Sequence, residues 1–268
     1  MYKGGVSIML TFLVFLPLIL NNYSQPVYDP PIINPNKGIA LVEPYLQDLD
    51  SVGATWYYTW THYPKPTDDN RYIPMSYYGL FDASLPVDYD GFVLFLNEPN
   101  NPAPFGAGIT PQLAAERYRD FIQARPRVKL VVGNASAWSN VWHYDFIHAV
   151  KSYGIELPKY VGVHCYVEQH ITAEVCEFYI NQMRLTWQVE AGYIPEFWIT
   201  EFADTTGNTK SLTALMNVIQ SKSYITRFAY FTNRYDTTQP YIPAGWYDFN
   251  LINNDGSLSP MGLIYAQR

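Results

Sequence analysis

Short hydrophobic runs recur along the chain and alternate with longer stretches whose apolar residues have helical spacing. Several of these runs are continuously apolar rather than alternating, which is typical of parallel strands buried on both faces. Eight runs are predicted to be strands, at residues 38–41, 54–60, 72–75, 92–97, 128–134, 160–166, 197–202 and 225–232. A ninth run, 246–252, is interpreted as a closing segment beside the sheet. If 38–41 is not a strand, the strand numbering drops by one and the fold class is unchanged.

Four of the intervening segments carry helix signals. The segment after Thr110 reads PQLAAERYRDFIQA, with Thr110 as a plausible N-cap and a proline in the first turn. Residues 140–153 and 172–191 show helical spacing of large apolar side chains, and Ser211 can cap a helix over 212–221. Strands that alternate with helices indicate a parallel α/β sheet. Eight such units predict a somewhat irregular (β/α)8 TIM barrel as a single domain.

Size and composition agree with one barrel and narrow the classes of partner. The 268 residues fit a leader plus one domain, since barrels of about 250 residues are common. A formal net charge of −7 argues against a nucleic-acid partner, because phosphate backbones select basic surfaces. The sequence has no glycine-rich phosphate loop and no histidine pair at metal-ligand spacing, so we expect no nucleotide, cofactor or metal. The 24 tyrosines and 7 tryptophans suit a groove that stacks uncharged rings, as well as an aromatic core.

The N-terminal region has the pattern of a targeting segment. Lys3 precedes an apolar run over residues 6–20, which is short for a membrane span of about 20 residues. We therefore predict a signal peptide over 1–24 and a secreted or cell-surface protein. An uncleaved N-terminal anchor stays open, since no cleavage site stands out. Residues 25–36 are predicted to be a proline-rich linker, and 37–268 to be the barrel.

Two features of the sequence have both a structural and a chemical interpretation. Cys165 and Cys176 are the only cysteines; they could pair in an oxidising compartment, but we favour buried free thiols, which behave as small hydrophobes. Asn134 lies in a glycosylation sequon at the end of a predicted strand. A structural or site-lining role is therefore expected for Asn134 rather than glycosylation.

Two predicted strands end in a glutamate in similar contexts. FVLFLNEPNN places Glu98 after one buried run, and FWITEFAD places Glu201 after another. The carboxyl ends of parallel barrel strands meet at one face, so both side chains are expected in one cleft. Glycoside hydrolysis needs such a pair, one to protonate the leaving oxygen and one to attack the anomeric carbon. Either glutamate alone could be a helix cap or a rim ion pair, but the matching contexts favour catalysis.

Six motifs in order carry a family resemblance. They are WYYTW at 56–60, YIPM at 72–75, FLNEPN at 95–100, VHCY at 163–166, WITEFAD at 198–204 and NNDGSLSPMG at 253–262. Together, over about residues 37–265, they resemble glycoside hydrolase family 128, the Asl1-like glycosyl hydrolases. This family belongs to the clan of (β/α)8 retaining glycosidases with catalytic glutamates after strands four and seven.

The resemblance implies a retaining hydrolase of β-1,3-glucan, with Glu98 as acid/base and Glu201 as nucleophile. We expect endo action, a polysaccharide substrate and a monomer. A hydrolase of another β-linked polysaccharide and a non-catalytic glucan-binding barrel stay open as alternatives. The proposed roles require an ionised Glu201 and an initially protonated Glu98.

The resemblance and the strand pattern also suggest groups that hold the sugar. Asn97 is expected to bond the hydroxyl next to the reacting carbon, unless it is a turn residue. His164 and Tyr166 share one face of their strand and match the family's His-Trp-Tyr strand end, with Cys165 in place of the tryptophan on the other face.

Aromatic residues near strand ends are the expected stacking surfaces. Trp60 is the best candidate to stack on a glucose ring, whereas Trp56 and Tyr58, earlier on the same face, are predicted to be barrel core. Further candidates to line the cleft are Tyr77, Trp138, Tyr230 and Trp246.

Overall fold

The protein is described from a computed structural model that covers residues 29–43, 45–61, 69–80, 85–235 and 249–268. Eight strands form one parallel sheet in the order β2-β1-β8-β7-β6-β5-β4-β3. A parallel bridge between Tyr57 and Tyr72 brings β2 beside the chain that leads into β3, so the sheet is a nearly closed barrel. The strands are β1 (Lys37–Ala40), β2 (Trp56–Tyr58), β3 (Met75–Ser76), β4 (Phe92–Phe95), β5 (Lys129–Ser136), β6 (Tyr160–Val167), β7 (Glu196–Asp204) and β8 (Ile225–Phe231). The predicted (β/α)8 barrel is confirmed.

Six helices are described around this sheet. They are α1 (Gln47–Val52), α2 (Pro111–Ala124), α3 (Asn140–Ser152), α4 (Ala173–Glu190), α5 (Thr209–Gln220) and α6 (Pro260–Ala266). The four predicted helices correspond to α2–α5. The described parts of the β2–β3 and β3–β4 connections contain no helix, which makes the barrel irregular. No helix in the described ranges combines the length and apolarity that a membrane crossing needs.

The start of α5 differs from the prediction. Its N-cap is Asn208, whose side chain accepts hydrogen bonds from the backbone N–H groups of Lys210 and Ser211. Ser211 is therefore inside the first turn. Asparagine is a strong N-cap, so the helix begins three residues before the predicted start at 212.

The ninth hydrophobic run is described only from residue 249 onward. Leu251 and Ile252 donate backbone hydrogen bonds to Thr232 and Asn233, directly after β8. This part of the run is not a strand of the sheet; it lies beside the end of β8, as the closing-segment interpretation expects.

The two cysteines form a disulfide between β6 and α4, so the expectation of free thiols is wrong. The Cα atoms of Cys165 and Cys176 are 5.9 Å apart. Alternation along β6 places Cys165 on the face opposite His164 and Tyr166, where α4 packs. The bridge therefore fixes the carboxyl end of β6 to its covering helix.

Candidate active site

Four neighbouring strands, β4 to β7, bring the predicted carboxylates together. Ser136 on β5 is in register with His164 on β6, which is in register with Glu201 on β7. Glu98 follows the end of β4, on the other side of β5. One oxygen from each glutamate and one ring nitrogen of His164 all lie within 4.8 Å of one another. The two glutamates thus share one site at the carboxyl face of the barrel.

Glu201 is a buried carboxylate surrounded by hydrogen-bond donors. Its Oε1 accepts from the Tyr58 hydroxyl at 2.8 Å and from Trp60 Nε1 at 2.9 Å, and its Oε2 accepts from the Tyr166 hydroxyl. These donors satisfy the ionised form of the carboxyl group. Tyr58 is buried in the barrel core, as predicted, and its hydroxyl also donates to Glu201, which the sequence did not predict.

Glu98 is held by a different set of partners. Its Oε1 lies 3.0 Å from His164 Nδ1 and accepts from the Ser136 hydroxyl at 3.3 Å, and its Oε2 accepts from Asn101 Nδ2 at 2.7 Å. The Asn101 amide also donates to Ser136 Oγ at 3.0 Å. Sequence reasoning missed Asn101 and Ser136, although Asn101 lies only three residues after the glutamate.

The backbone is strained where these side chains enter the site. Trp60, Leu96, Glu98 and Asn134 have positive φ values of 55°, 72°, 41° and 45°. Non-glycine residues adopt this region rarely, and such positions are concentrated at functional sites.

Asn134 supports the bend that carries Glu98. Its side-chain amide donates to the carbonyls of Phe95 and Leu96, and its own carbonyl accepts from the N–H of Glu98 at 2.9 Å. A Cβ on Gly162 of β6 would lie 2.0 Å from Asn134 Oδ1, so glycine is required there. The fully buried Asn134 is structural, as expected.

The two carboxyl groups have opposite pKa shifts. Burial raises the pKa of Glu201, and the negative charge of Glu98 raises it further. The hydrogen bonds from Tyr166 and Tyr58 lower this pKa but do not cancel the rise. Burial also acts to raise the pKa of Glu98, but hydrogen bonds from His164, Asn101 and Ser136 outweigh it and hold this pKa below its usual value.

His164 couples the two carboxyl groups. Burial acts to lower its pKa, but Glu201 and Glu98 outweigh burial and raise it. Its Nδ1 lies 3.0 Å from Glu98 and 3.3 Å from Glu201. The order of the two glutamate pKa values is opposite to the one that the predicted roles require. Because Glu98, His164 and Glu201 shift one another's pKa, the three groups titrate together rather than as separate groups.

A cavity of about 460 Å³ opens above the carboxylates. Five residues predicted to contact substrate line it: Asn97, Trp60, Tyr77, Trp138 and Tyr166. Seven further lining residues were not predicted to contact substrate: Asn101, Pro104, Phe105, Ser136, Glu168, Phe231 and Tyr235. Phe105 and Trp138 are 60% and 45% exposed, so flat apolar rings are available to a ligand.

Asn97 has an acceptor available at the floor of this cavity. Its side chain is buried and hydrogen-bonds to Tyr77, which offsets part of the rise that burial causes in the pKa of that hydroxyl. Within the described chain, the Oδ1 atom of Asn97 has no hydrogen-bond donor. A hydroxyl group of a ligand could supply one.

Three predicted contact residues are not among those that line the cavity. His164 is buried beside the two carboxyl groups and is not a lining residue. Tyr230 is fully buried, donates to the Phe249 carbonyl and packs on Phe202 and Tyr265 of α6, so its prediction is wrong. On β8 the neighbouring Phe231 faces the cavity instead. Trp246 lies outside the described residues.

Glu98, His164 and Glu201 also have the atom types that can ligate a metal ion. However, the hydroxyl and indole hydrogens of Tyr58, Tyr166 and Trp60 point at Glu201 oxygens. Protons therefore take up the lone pairs that a cation would need. The arrangement suits proton transfer and nucleophilic attack better than metal binding.

Comparison with solved structures places the fold among glycosidase barrels. An endo-β-1,3-glucanase of family GH128, subgroup II, from Sorangium cellulosum has a TM-score of 0.60 and 20% sequence identity, over 86% of this chain and 97% of that chain. A subgroup I endo-β-1,3-glucanase from Amycolatopsis mediterranei, in complex with laminaritriose, has a TM-score of 0.62 and 16% identity, over 87% and 99%. A subgroup VI exo-β-1,3-glucanase from Aureobasidium namibiae has a TM-score of 0.63 and 18% identity, over 88% and 98%.

Sequence comparison is more specific about the family. No curated protein matches the chain. The profile of the family described as the glycosyl hydrolase catalytic core matches residues 43–265, which include both glutamates and most of the barrel. The chain therefore belongs to the glycosyl hydrolase catalytic core family, and it is a glycoside hydrolase.

Proposed function

We propose that this protein is a retaining endo-β-1,3-glucanase of glycoside hydrolase family 128, with Glu201 as nucleophile and Glu98 as acid/base. The observation that carries the proposal is the close pair of glutamates in one cleft, whose nearest oxygens lie within 4.8 Å. Retaining glycosidases separate their carboxyl groups by about 5–5.5 Å, whereas inverting enzymes need about 6.5–9.5 Å to admit a water molecule.

The substrate class rests on two kinds of likeness. Six ordered sequence motifs resemble family 128, and the similar solved structures are β-1,3-glucanases, one of them in complex with laminaritriose. The cavity supports a neutral sugar, because exposed aromatic rings flank its polar floor. Another β-linked polysaccharide remains the main alternative.

The hydrogen bonds suggest separate roles for the two carboxyl groups. Tyr58, Trp60 and Tyr166 orient Glu201 and stabilise its negative charge for attack on the anomeric carbon. Glu98 shares one exchangeable proton with His164 and gives it to the leaving oxygen. In the second step, Glu98 accepts a proton from a water molecule, and this water attacks the glycosyl-enzyme intermediate and releases Glu201.

Glutamine substitutions test the assignment. Glu201→Gln and Glu98→Gln should each lower kcat on laminarin by on the order of 10³-fold or more, because the nucleophile or the proton donor is lost. Reducing-sugar release measures activity, and circular dichroism confirms folding. Glu196→Gln is the matched control, since Glu196 is an exposed residue at the opposite end of β7. Normal laminarin cleavage by Glu201→Gln would contradict the nucleophile role.

Product analysis separates the remaining alternatives. A panel of laminarin, xylan and mixed-linkage glucan should give oligosaccharides of several lengths from laminarin first, as endo action requires. Glucose as the sole early product would instead indicate exo action. Binding of laminarin without release of any product would favour a non-catalytic glucan-binding barrel.

We also propose that the protein is a secreted or cell-surface monomer. The apolar N-terminal run supports export, and a disulfide between Cys165 and Cys176 suits an oxidising compartment. Comparison of the mass of the mature protein with that of the full chain tests whether residues 1–24 are removed. Light scattering of the purified protein tests the monomer.

A further inference from the structure

Glu168 is a third carboxylate that lines the catalytic cavity. It follows the last residue of β6, two positions beyond Tyr166 and four beyond His164. Alternation along the strand places the three side chains on one face. A short turn fixes the backbone of Glu168. Its N–H donates to the Ile171 carbonyl at 3.0 Å, and the N–H of Ile171 donates to the Glu168 carbonyl at 3.2 Å.

Unlike the other two carboxylates, Glu168 has no partner in the described chain. Glu98 and Glu201 each accept hydrogen bonds from several side chains, whereas no hydrogen bond or ion pair involves the Glu168 carboxylate. Burial raises its pKa, and no neighbouring donor or cation counters the rise. Partial burial without a donor is unfavourable for a carboxylate, so a ligand that brings donors would stabilise it.

The chemistry of the cavity indicates which donors fit. A carboxylate has only acceptor sites and can accept from two adjacent hydroxyl groups. Sugar hydroxyls match this requirement, and the aromatic rings of the same cavity can hold the flat face of the sugar. With Glu98 and Glu201 nearby and a net charge of −7, an anionic sugar would be repelled.

We propose that Glu168 is a substrate-binding residue that accepts hydrogen bonds from the hydroxyl groups of a neutral glucan and disfavours anionic polysaccharides. The inference rests on the proposed function and extends it, since it identifies a residue that sets which sugars the cleft admits.

Binding of oligosaccharide to a catalytically inactive variant tests whether Glu168 contacts a neutral glucan. In the Glu201→Gln background, calorimetry should show that Glu168→Ala weakens laminarihexaose binding by about tenfold or more, because a hydrogen bond to a charged group is lost. Glu168→Gln keeps one acceptor oxygen and should lose less. Glu116→Gln removes an exposed charge from α2, outside the cavity, and should leave the affinity unchanged.

Substrate selectivity of the active enzyme tests whether Glu168 disfavours anionic polysaccharides. Glu168→Gln should raise the ratio of kcat/KM for carboxymethylated laminarin to that for laminarin by about fivefold at low ionic strength, and salt should reduce this gain. Glu116→Gln should not change the ratio. A role of Glu168 in folding alone would alter both substrates equally.

The possible outcomes distinguish a failure of the role proposed for Glu168 from a failure of the proposed glucanase function. Unchanged laminarihexaose affinity in Glu168→Ala, with tight binding by the parent, would overturn the role of Glu168 and leave the proposed function intact. If Glu168→Gln changes the ratio of the two kcat/KM values no more than Glu116→Gln does, the proposal that Glu168 disfavours anionic polysaccharides is overturned. If the parent neither binds laminarihexaose nor cleaves laminarin, the proposed function fails and this inference fails with it.

Discussion

At the scale of single residues, the site is organised by which groups donate to which carboxylate. Glu201 accepts from Tyr58, Trp60 and Tyr166, and the two tyrosine hydrogen bonds offset part of the rise in pKa that burial causes. Glu98 lies beside His164, whose Nδ1 is 3.0 Å from its Oε1, and it also accepts from Asn101 and Ser136. The two glutamates therefore have separate sets of hydrogen-bond partners, and the pKa of Glu201 is raised while that of Glu98 is lowered.

Tyr58→Phe tests how a hydrogen bond to Glu201 affects its pKa and activity. The substitution removes a hydrogen bond that lowers the pKa of Glu201, so this pKa should rise further above its ordinary value. Since the proposed nucleophile must be ionised to attack, the acidic limb of the kcat/KM profile should move to higher pH. At its optimum, kcat/KM should fall by about tenfold, as loss of a hydrogen bond to a charged group costs about 1.5–3 kcal/mol.

Tyr57→Phe is the control for this change. Tyr57 is the neighbouring buried residue on β2, points to the opposite face and packs on Tyr72. Its pH profile should match that of the parent enzyme. A Tyr58→Phe profile with an unchanged acidic limb would argue that Tyr58 serves only packing.

The sequence was sufficient to predict the two glutamates but not all of their partners. The positions of Glu98 and Glu201 were predictable because each follows a strongly apolar run of residues. Tyr58 was missed because its strand was predicted to extend to Trp60, whereas β2 ends at Tyr58 itself. The error for Tyr230 has a related cause: both faces of β8 carry aromatic residues, so the pattern cannot tell which face lines the cavity.

At the scale of elements, long helices were predictable from the sequence. Short helices, and contacts between residues that depend on how elements pack, were not. The helices α2–α5 have 12 to 18 residues, enough for a repeating apolar face. The helices α1 and α6 have only 6 and 7 residues, too few for this pattern. The disulfide depends on how α4 packs on β6, and sequence spacing does not fix that geometry.

Reduction of the disulfide tests how it supports these two elements. For a bridge with a sequence separation of 11 residues, chain entropy predicts a contribution of about 3 kcal/mol to the free energy of unfolding. Urea titration with and without dithiothreitol should show a loss of this size in the parent protein. The Cys165→Ala/Cys176→Ala variant should be insensitive to the reductant. Equal stability of the parent in both conditions would show that the bridge does not stabilise the fold.

At the scale of the whole molecule, one parallel barrel collects the ends of different strands into one cavity. Glu98, His164 and Glu201 are far apart in sequence and come from the ends of β4, β6 and β7. Strained backbone at Glu98 and Asn134 persists because the surrounding sheet holds it. A ligand that binds this preformed cavity should therefore stabilise the whole barrel against unfolding.

Thermal unfolding of Glu201→Gln with oligosaccharide measures this coupling. At about 100 times its Kd, laminarihexaose should raise the free energy of unfolding by about 2.7 kcal/mol, because it binds only the folded barrel. For a domain of this size, that corresponds to a rise in Tm of about 5–10 °C. Maltohexaose, with the same number of glucose units in α-1,4 linkage, is the matched control and should leave Tm unchanged. Equal shifts with both sugars would mean that the cavity recognises glucose units rather than the β-1,3 linkage, and would count against the proposed substrate.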